Sequence, residues 1–138
     1  MFRKLNDQVS VSPQITIEDV GLAAGQGFSA IINNRPDNED PGQPNGDVIA
    51  SEARKHGLDY IAIPIDHSGF PEDKIAAMAE VLKSANRPVL AYCRSGTRST
   101  LLWALAQARS GIDVAELALT AEQAGYSLQP IMPLLRQS

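Results

Sequence analysis

A chain of 138 residues, 43% hydrophobic and 20% charged, has the size and composition of one globular domain with a single well-buried core. Its net charge of −4 excludes the broad basic face that bulk nucleic-acid binding requires, while leaving room for a local anion site built from backbone N–H groups. No apolar run reaches the length of a membrane span, and Met1-Phe2-Arg3-Lys4-Leu5-Asn6 lacks the apolar segment of a secretory leader. A cytoplasmic protein is therefore expected. The single cysteine agrees, because no internal disulfide can form.

Along the chain, Gln8-Val9-Ser10-Val11 alternates polar and apolar residues, the pattern of a short half-exposed strand. Thr16, with Asp19 three residues on, predicts a capping box, and the helix it opens runs through Val20 and Ala23 to the glycines Gly25 and Gly27. Phe28 to Asn33 reads as an apolar strand. Arg35 to Gly46, rich in Pro, Asn, Asp and Gly, reads as a long surface loop. A helix follows from Asp47 to His56 and ends at Gly57. Tyr60 to Ile65 is the next strand, with Pro64 marking an edge or bulge.

Pro71 suits the first position of a helix whose opening turn carries Glu72 and Asp73, with Ile75, Met78, Ala79 and Leu82 on one face. Val89-Leu90-Ala91-Tyr92 is the most apolar strand, hence the central one. Helices are expected from Ser99 to Arg109, from Asp113 (with Glu116 as a second capping box) to Gly125, and from Gln129 to Arg136 with Pro130 in its first turn. Strands thus alternate with helices. The order predicts an α/β fold, one domain over residues 1–138, with a mostly parallel central sheet and helices on both faces. Ligands in such sheets bind beyond the carboxyl ends of the strands, and Cys93 stands at that end of the expected central strand.

The segment Cys93-Arg94-Ser95-Gly96-Thr97-Arg98 then leads into a helix. Gly96 permits the unusual φ that lets the N–H groups from Arg94 to Ser99 curl round one point, and the helix start adds donors and partial positive charge. A thiol on the floor of such a ring is expected to ionise below its usual pKa of about 8.5. Arg98 is placed to fold over the ring and grip two oxygens of an anion, and Ser99 to offer a hydroxyl to the sulfur. The bland alternative is an ordinary buried thiol, which has no need of this glycine, arginine and polar company.

Cys-x-x-Gly-x-Arg-Ser resembles both the signature loop of cysteine phosphatases and the active loop of rhodaneses. Taken with Ile32-Asn33-Asn34-Arg35-Pro36-Asp37 and Ile63-Pro64-Ile65, and with Pro88 to Ser99, it resembles the phosphatase-like domain family of the beta-lactamase-hydrolase-like proteins, a bacterial group, from about Leu5 to Gly125. The resemblance implies a dual-specificity phosphatase fold. It also implies a connection to a persulfide dioxygenase of the metallo-hydrolase type, to which the domain is sometimes fused; here the domain is expected to stand alone.

Two departures bear on the chemistry. Four residues separate Cys93 from Arg98, one fewer than in cysteine phosphatases and equal to rhodaneses, and Tyr92 stands where phosphatases have histidine. One residue is worth up to about 3.3–3.6 Å of contour, so the ring is expected to be narrow and to suit one sulfane sulfur better than a phosphoryl group. Sulfur transfer through a Cys93 persulfide is the first reading, with a thiol or cyanide from outside the chain as acceptor. Phosphatase chemistry through a phosphoryl-thiolate is the second, with Asp66 as general acid. A non-catalytic anion-binding module is the third.

Asp66 reads equally as that acid or as a cap for the turn at His67-Ser68-Gly69. Arg35 and Asp37 are expected to reach the same mouth, adding charge and orienting the substrate, unless they form a loop-fixing ion pair. Arg94, Ser95, Gly96, Thr97 and Ser99 complete the expected anion site, whose partner is a small anion or a low-molecular-weight thiol or persulfide. Trp103, Leu101 and Leu105 read as core, Glu39 and Asp40 as solvated charges. Two distant histidines and one cysteine lack metal-ligand spacing, and no nucleotide fingerprint occurs, so no cofactor is expected.

Overall fold

The computed structural model describes residues 2–136. Five strands, β1 (Arg3–Lys4), β2 (Val9–Ser12), β3 (Ala30–Asn33), β4 (Asp59–Ala62) and β5 (Val89–Tyr92), form one sheet in the order β1-β2-β5-β3-β4. The β1–β2 pairing is antiparallel, and β2–β5, β5–β3 and β3–β4 are parallel. Among the described residues, six helices accompany it: α1 (Ile17–Gly25), α2 (Gly46–Lys55), α3 (Glu72–Ser84), α4 (Thr97–Arg109), α5 (Val114–Gln123) and α6 (Met132–Leu135), the last preceded by a 3-10 turn at Gln129–Ile131.

The apolar strand β5 is central because it is buried on both faces. Side chains alternate across a strand, so Val89 and Ala91 join the larger core cluster while Leu90 and Tyr92 join the smaller one. The larger cluster holds Met78 and Leu82 of α3, Leu102 and Leu105 of α4, and Leu117 of α5; the smaller holds Val20 and Ala23 of α1 with Ile49 and Ala53 of α2. Neighbouring β3 splits likewise, Ile32 to the first and Ile31 to the second. Helices therefore cover both faces, as the element order predicts. No helix among the described residues is long and apolar enough to cross a membrane.

The boundaries differ from expectation for physical reasons. The strand expected from Phe28 begins at Ala30, because Phe28 N–H turns back to Ala23 O at 3.2 Å and closes α1. The strand expected through Ile65 ends at Ala62, since Pro64 has no N–H to give; Ile63 and Ile65 on either side still donate to Asn33 O and Asn34 O at 2.9 and 3.0 Å. Pro71 caps α3 rather than opening it. Asn45 caps α2 by accepting Asp47 N–H at 2.9 Å, so that helix starts one residue early. The capping box of Thr16 and Asp19 is formed in both directions, at 3.2 and 2.9 Å.

Burial in β5 should dominate local stability. Leu90 is wholly buried and Leu22 on α1 is 56% exposed. Leu90→Ala is expected to lose about 2–5 kcal/mol, and Leu22→Ala to stay within about 0.5 kcal/mol of wild type. Urea unfolding of the two variants checks this; similar losses would mean that the sheet is not the centre of the core.

Candidate active site

At the carboxyl edge of the sheet, β5 is flanked by β2 and β3, whose ends meet its own. Cys93 N–H donates to Ser12 O at 3.3 Å, and Asn34 N–H donates to Tyr92 O at 2.8 Å. Cys93 is thereby fixed between two parallel neighbours with its side chain fully buried. From here the chain must become α4 within four residues. Gly96 makes the turn at a left-handed φ of 92°, and its N–H donates to Cys93 Sγ at 3.1 Å.

The far side of this turn is braced by a residue distant in sequence. Tyr126 Oη donates to Ser95 O at 3.1 Å, and a Cβ on Gly96 would collide with the Tyr126 hydroxyl. Ser95 Oγ accepts Thr97 N–H at 3.3 Å and donates to Thr97 Oγ1 at 2.9 Å, which commits the Thr97 amide within the loop. Thr100 Oγ1 donates to Gly96 O at 2.9 Å and pins the start of α4.

Arg98 reaches back over the sheet edge. Its Nη1 donates to Ile65 O at 2.7 Å and to Glu39 Oε2 at 2.7 Å, while Nη2 donates to Glu39 Oε1 at 2.9 Å. Glu39 also accepts from Arg35 Nε at 3.0 Å, and Arg35 continues to Asp40 at 2.6 Å and to Gln14 Oε1 at 3.0 Å. Arg94 lies near Asp40 at 3.4 Å, with its side chain largely exposed. The Arg98 hydrogen bonds hold the Glu39 carboxyl down to about 2, against the opposing effect of burial and with further help from Arg35. Reciprocally, Glu39 first and the Cys93 sulfur after it hold Arg98 more firmly protonated.

The expected site residues are only partly brought together. Cys93, Gly96 and Arg98 share the mouth. Ser99, expected to offer its hydroxyl to the sulfur, donates instead to Asn34 Oδ1 at 2.8 Å, and Asn34 Nδ2 donates to Ile63 O at 2.9 Å. Both side chains are buried, and this chain of bonds ties α4 to the ends of β3 and β4. Arg35 is only 5% exposed and is enclosed by Glu39, Asp40 and Gln14, so it organises the loop rather than facing solvent. Asp37, expected to orient the substrate or else to pair with Arg35, accepts Gly46 N–H at 2.8 Å and closes the loop onto α2. Asp66 accepts Ser68 N–H at 2.8 Å and Ser68 Oγ at 2.6 Å, the geometry of a turn cap, and these bonds hold its carboxyl below the usual range.

Glu39 is the residue that sequence reasoning missed. Three arginines aimed at one loop in a chain of net charge −4 called for counter-charges close by, and Glu39 and Asp40 follow Asp37 on the same loop as Arg35. Tyr126 carried no local signal, since only the fold sets it against Ser95. A groove of about 470 Å³ lined by Glu72, Ile75, Lys83 and Arg109, beside α3 and the end of α4, contains none of the loop residues.

A family model described as beta-lactamase hydrolase-like protein, phosphatase-like domain, matches residues 1–110. The beta-lactamase hydrolase-like protein of Agrobacterium fabrum is 37% identical over 108 residues, covering 78% of this chain and 25% of that one. The chain thus spans about a quarter of the length of its curated relatives. A candidate phosphatase of Neisseria meningitidis superposes with a TM-score of 0.86 at 32% identity, over 99% of this chain and 96% of the other. Tk-PTP in its active form superposes at 0.75 with 18% identity, over 99% and 94% of the two chains, a likeness of fold alone. Tyr126 lies outside the residues that the family model matches.

The Gly96 turn can be tested against an internal control. Gly111 has nearly the same φ, 94°, with nothing within 4 Å of an added Cβ. Both alanine variants meet the backbone strain, but only Gly96→Ala also meets Tyr126. Gly96→Ala is expected to lose about 1–3 kcal/mol more than Gly111→Ala in urea unfolding, and it alone should change the rate of Cys93 alkylation. Equal losses and equal alkylation rates would remove Tyr126 from the bracing of the loop.

Proposed function

The chain belongs to the phosphatase-like domain family of the beta-lactamase hydrolase-like proteins, and within that family we propose that it is a sulfurtransferase carrying sulfane sulfur as a persulfide on Cys93. The thiolate attacks the sulfane sulfur of a donor. A new Sγ–S bond forms as the donor's S–S bond breaks, and that bond's electron pair leaves with the donor remnant as a thiolate or as sulfite. An acceptor thiolate or cyanide then attacks the outer sulfur and returns Cys93 to its thiolate. With one cysteine in the chain, the acceptor comes from elsewhere.

The observation that carries this reading is the short ring itself. Four residues separate Cys93 from Arg98, the Gly96 amide closes on Sγ at 3.1 Å, and the Thr97 amide is spent on Ser95. A ring so closed offers a single sulfur more than it offers the three equatorial oxygens of a phosphoryl group. The leaving groups of sulfur transfer also need no proton, and Asp66 has the bonding of a cap. A small anion or a low-molecular-weight thiol or persulfide is the substrate class proposed, a persulfide dioxygenase the proposed consumer, and the cytoplasm the proposed compartment, where a cycling thiol stays reduced.

The phosphatase reading keeps one argument: the fold is shared with the Neisseria meningitidis candidate phosphatase and with Tk-PTP. In it, Cys93 takes the phosphoryl group, Arg98 clamps it and Asp66 protonates the leaving oxygen.

Three variants separate these readings in assays of cyanide-dependent thiocyanate formation and aryl phosphate hydrolysis. Cys93→Ser should abolish sulfur transfer. Arg98→Lys, which keeps the charge and loses the fork, should lower it about 10-fold or more. Asp66→Asn keeps the cap's acceptor oxygen and should leave sulfur transfer within about twofold of wild type, whereas a phosphatase using Asp66 as acid should lose about 10²–10⁴ of its phosphate-ester turnover. That second pattern, with no thiocyanate formed, would replace the first reading by the second.

A further inference from the structure

Arg98 is the guanidinium that the loop aims at its own mouth, and its two terminal nitrogens are already occupied. Both belong to Glu39, which meets them with both carboxylate oxygens at 2.7 and 2.9 Å. This fork-on-fork geometry is the one by which an arginine takes two oxygens of a phosphate, sulfate or thiosulfate. The carboxylate thus sits where the two oxygens of such an anion would bind.

Its placement is determined from several directions. Asn38, at a left-handed φ of 67°, turns the loop just before Glu39. Gln43 Oε1 accepts the amides of Glu39 and Asp40 at 3.0 and 3.4 Å, and Gln43 Nε2 donates to Pro36 O at 2.8 Å. Buried Arg35 holds Glu39 Oε1 from behind at 3.0 Å. Moving the carboxylate away from Arg98 therefore means disturbing the loop from Arg35 to Gln43. Charge points the same way: Arg35, Arg94 and Arg98 are paired with Glu39 and Asp40, which leaves one surplus positive charge. A dianion entering this mouth brings more charge than that surplus can match.

We infer that Glu39 is the specificity-determining residue of the Cys93 site: by filling the anion-binding edge of Arg98 it selects against dianionic oxyanion donors and for donors that present their sulfane sulfur with at most one negative charge. Specificity is achieved here by a repulsive group held in place as much as by attractive contacts. The inference rests on the reading of Cys93 as a sulfur carrier for the identity of the donor. The block on oxyanions itself rests on geometry alone.

Sulfate binding by calorimetry, and the ratio of kcat/KM for thiosulfate to that for glutathione persulfide, test it on the full chain. Wild type should show no saturable sulfate binding below about 10 mM. Glu39→Gln should bind sulfate at least about tenfold tighter and raise the donor ratio by about tenfold, whereas Glu39→Asp, which keeps the charge, should raise neither as far. Submillimolar sulfate binding by wild type would overturn the inference whether or not the variants fold, and so would a folded Glu39→Gln with no gain. A gain in sulfate affinity with no turnover from either donor would uphold the role of Glu39 as an anion block and dismiss sulfur transfer instead.

Discussion

A strand that ends on a buried thiol and must become a helix within four residues leaves its amides little choice of partner. The Gly96 N–H, turned inward by the left-handed φ of its residue, finds Cys93 Sγ at 3.1 Å. Everything else near the site keeps that turn in place. Parallel pairing on both sides fixes where β5 stops, Thr100 and Tyr126 hold the two carbonyls that flank the turn, and the buried Ser99–Asn34–Ile63 bonds tie the start of α4 to the neighbouring strand ends. Buried polar groups of this kind are costly unless satisfied, and once satisfied they hold one arrangement against others.

Around the turn lies a clasp of charges rather than an open basic mouth. Arg98 spans Glu39 and the Ile65 carbonyl, Arg35 is enclosed by Glu39, Asp40 and Gln14, and Asp66 lies at the rim capping its own turn. A loop able to hold an anion is thus furnished with its own carboxylate. The fold it shares with phosphatases does not by itself decide the chemistry, because chemistry resides in the site. Ring length and the partner of Arg98 are the features on which the proposed preference for sulfur over phosphorus rests.

Much of this was legible before any coordinates. The unbroken apolar run Val89–Tyr92 identified the central strand, because only a strand covered on both faces can do without polar residues. Gly96 between a strand and a helix announced the turn, and Thr16 with Asp19 announced its helix start. Local signals failed where long-range partners decide. Closeness in sequence points Ser99 towards the sulfur, yet its partner Asn34 comes from another strand end. Glu39 and Asp40 looked like ordinary loop charges, since nothing local shows that the loop from Arg35 folds back over Arg98. Tyr126 was invisible for the same reason, and β1, two exposed residues long, is too short to carry a pattern.

The central claim, that Cys93 carries sulfur, is met most directly by weighing the protein. Reduced wild type is incubated with a persulfide donor, desalted and measured as an intact mass, with vanadate-sensitive phosphate release followed on the same preparation. An adduct of one sulfur atom on wild type, absent from Cys93→Ser and discharged by cyanide, is the predicted result. No adduct, together with brisk phosphate release that vanadate stops, would contradict it.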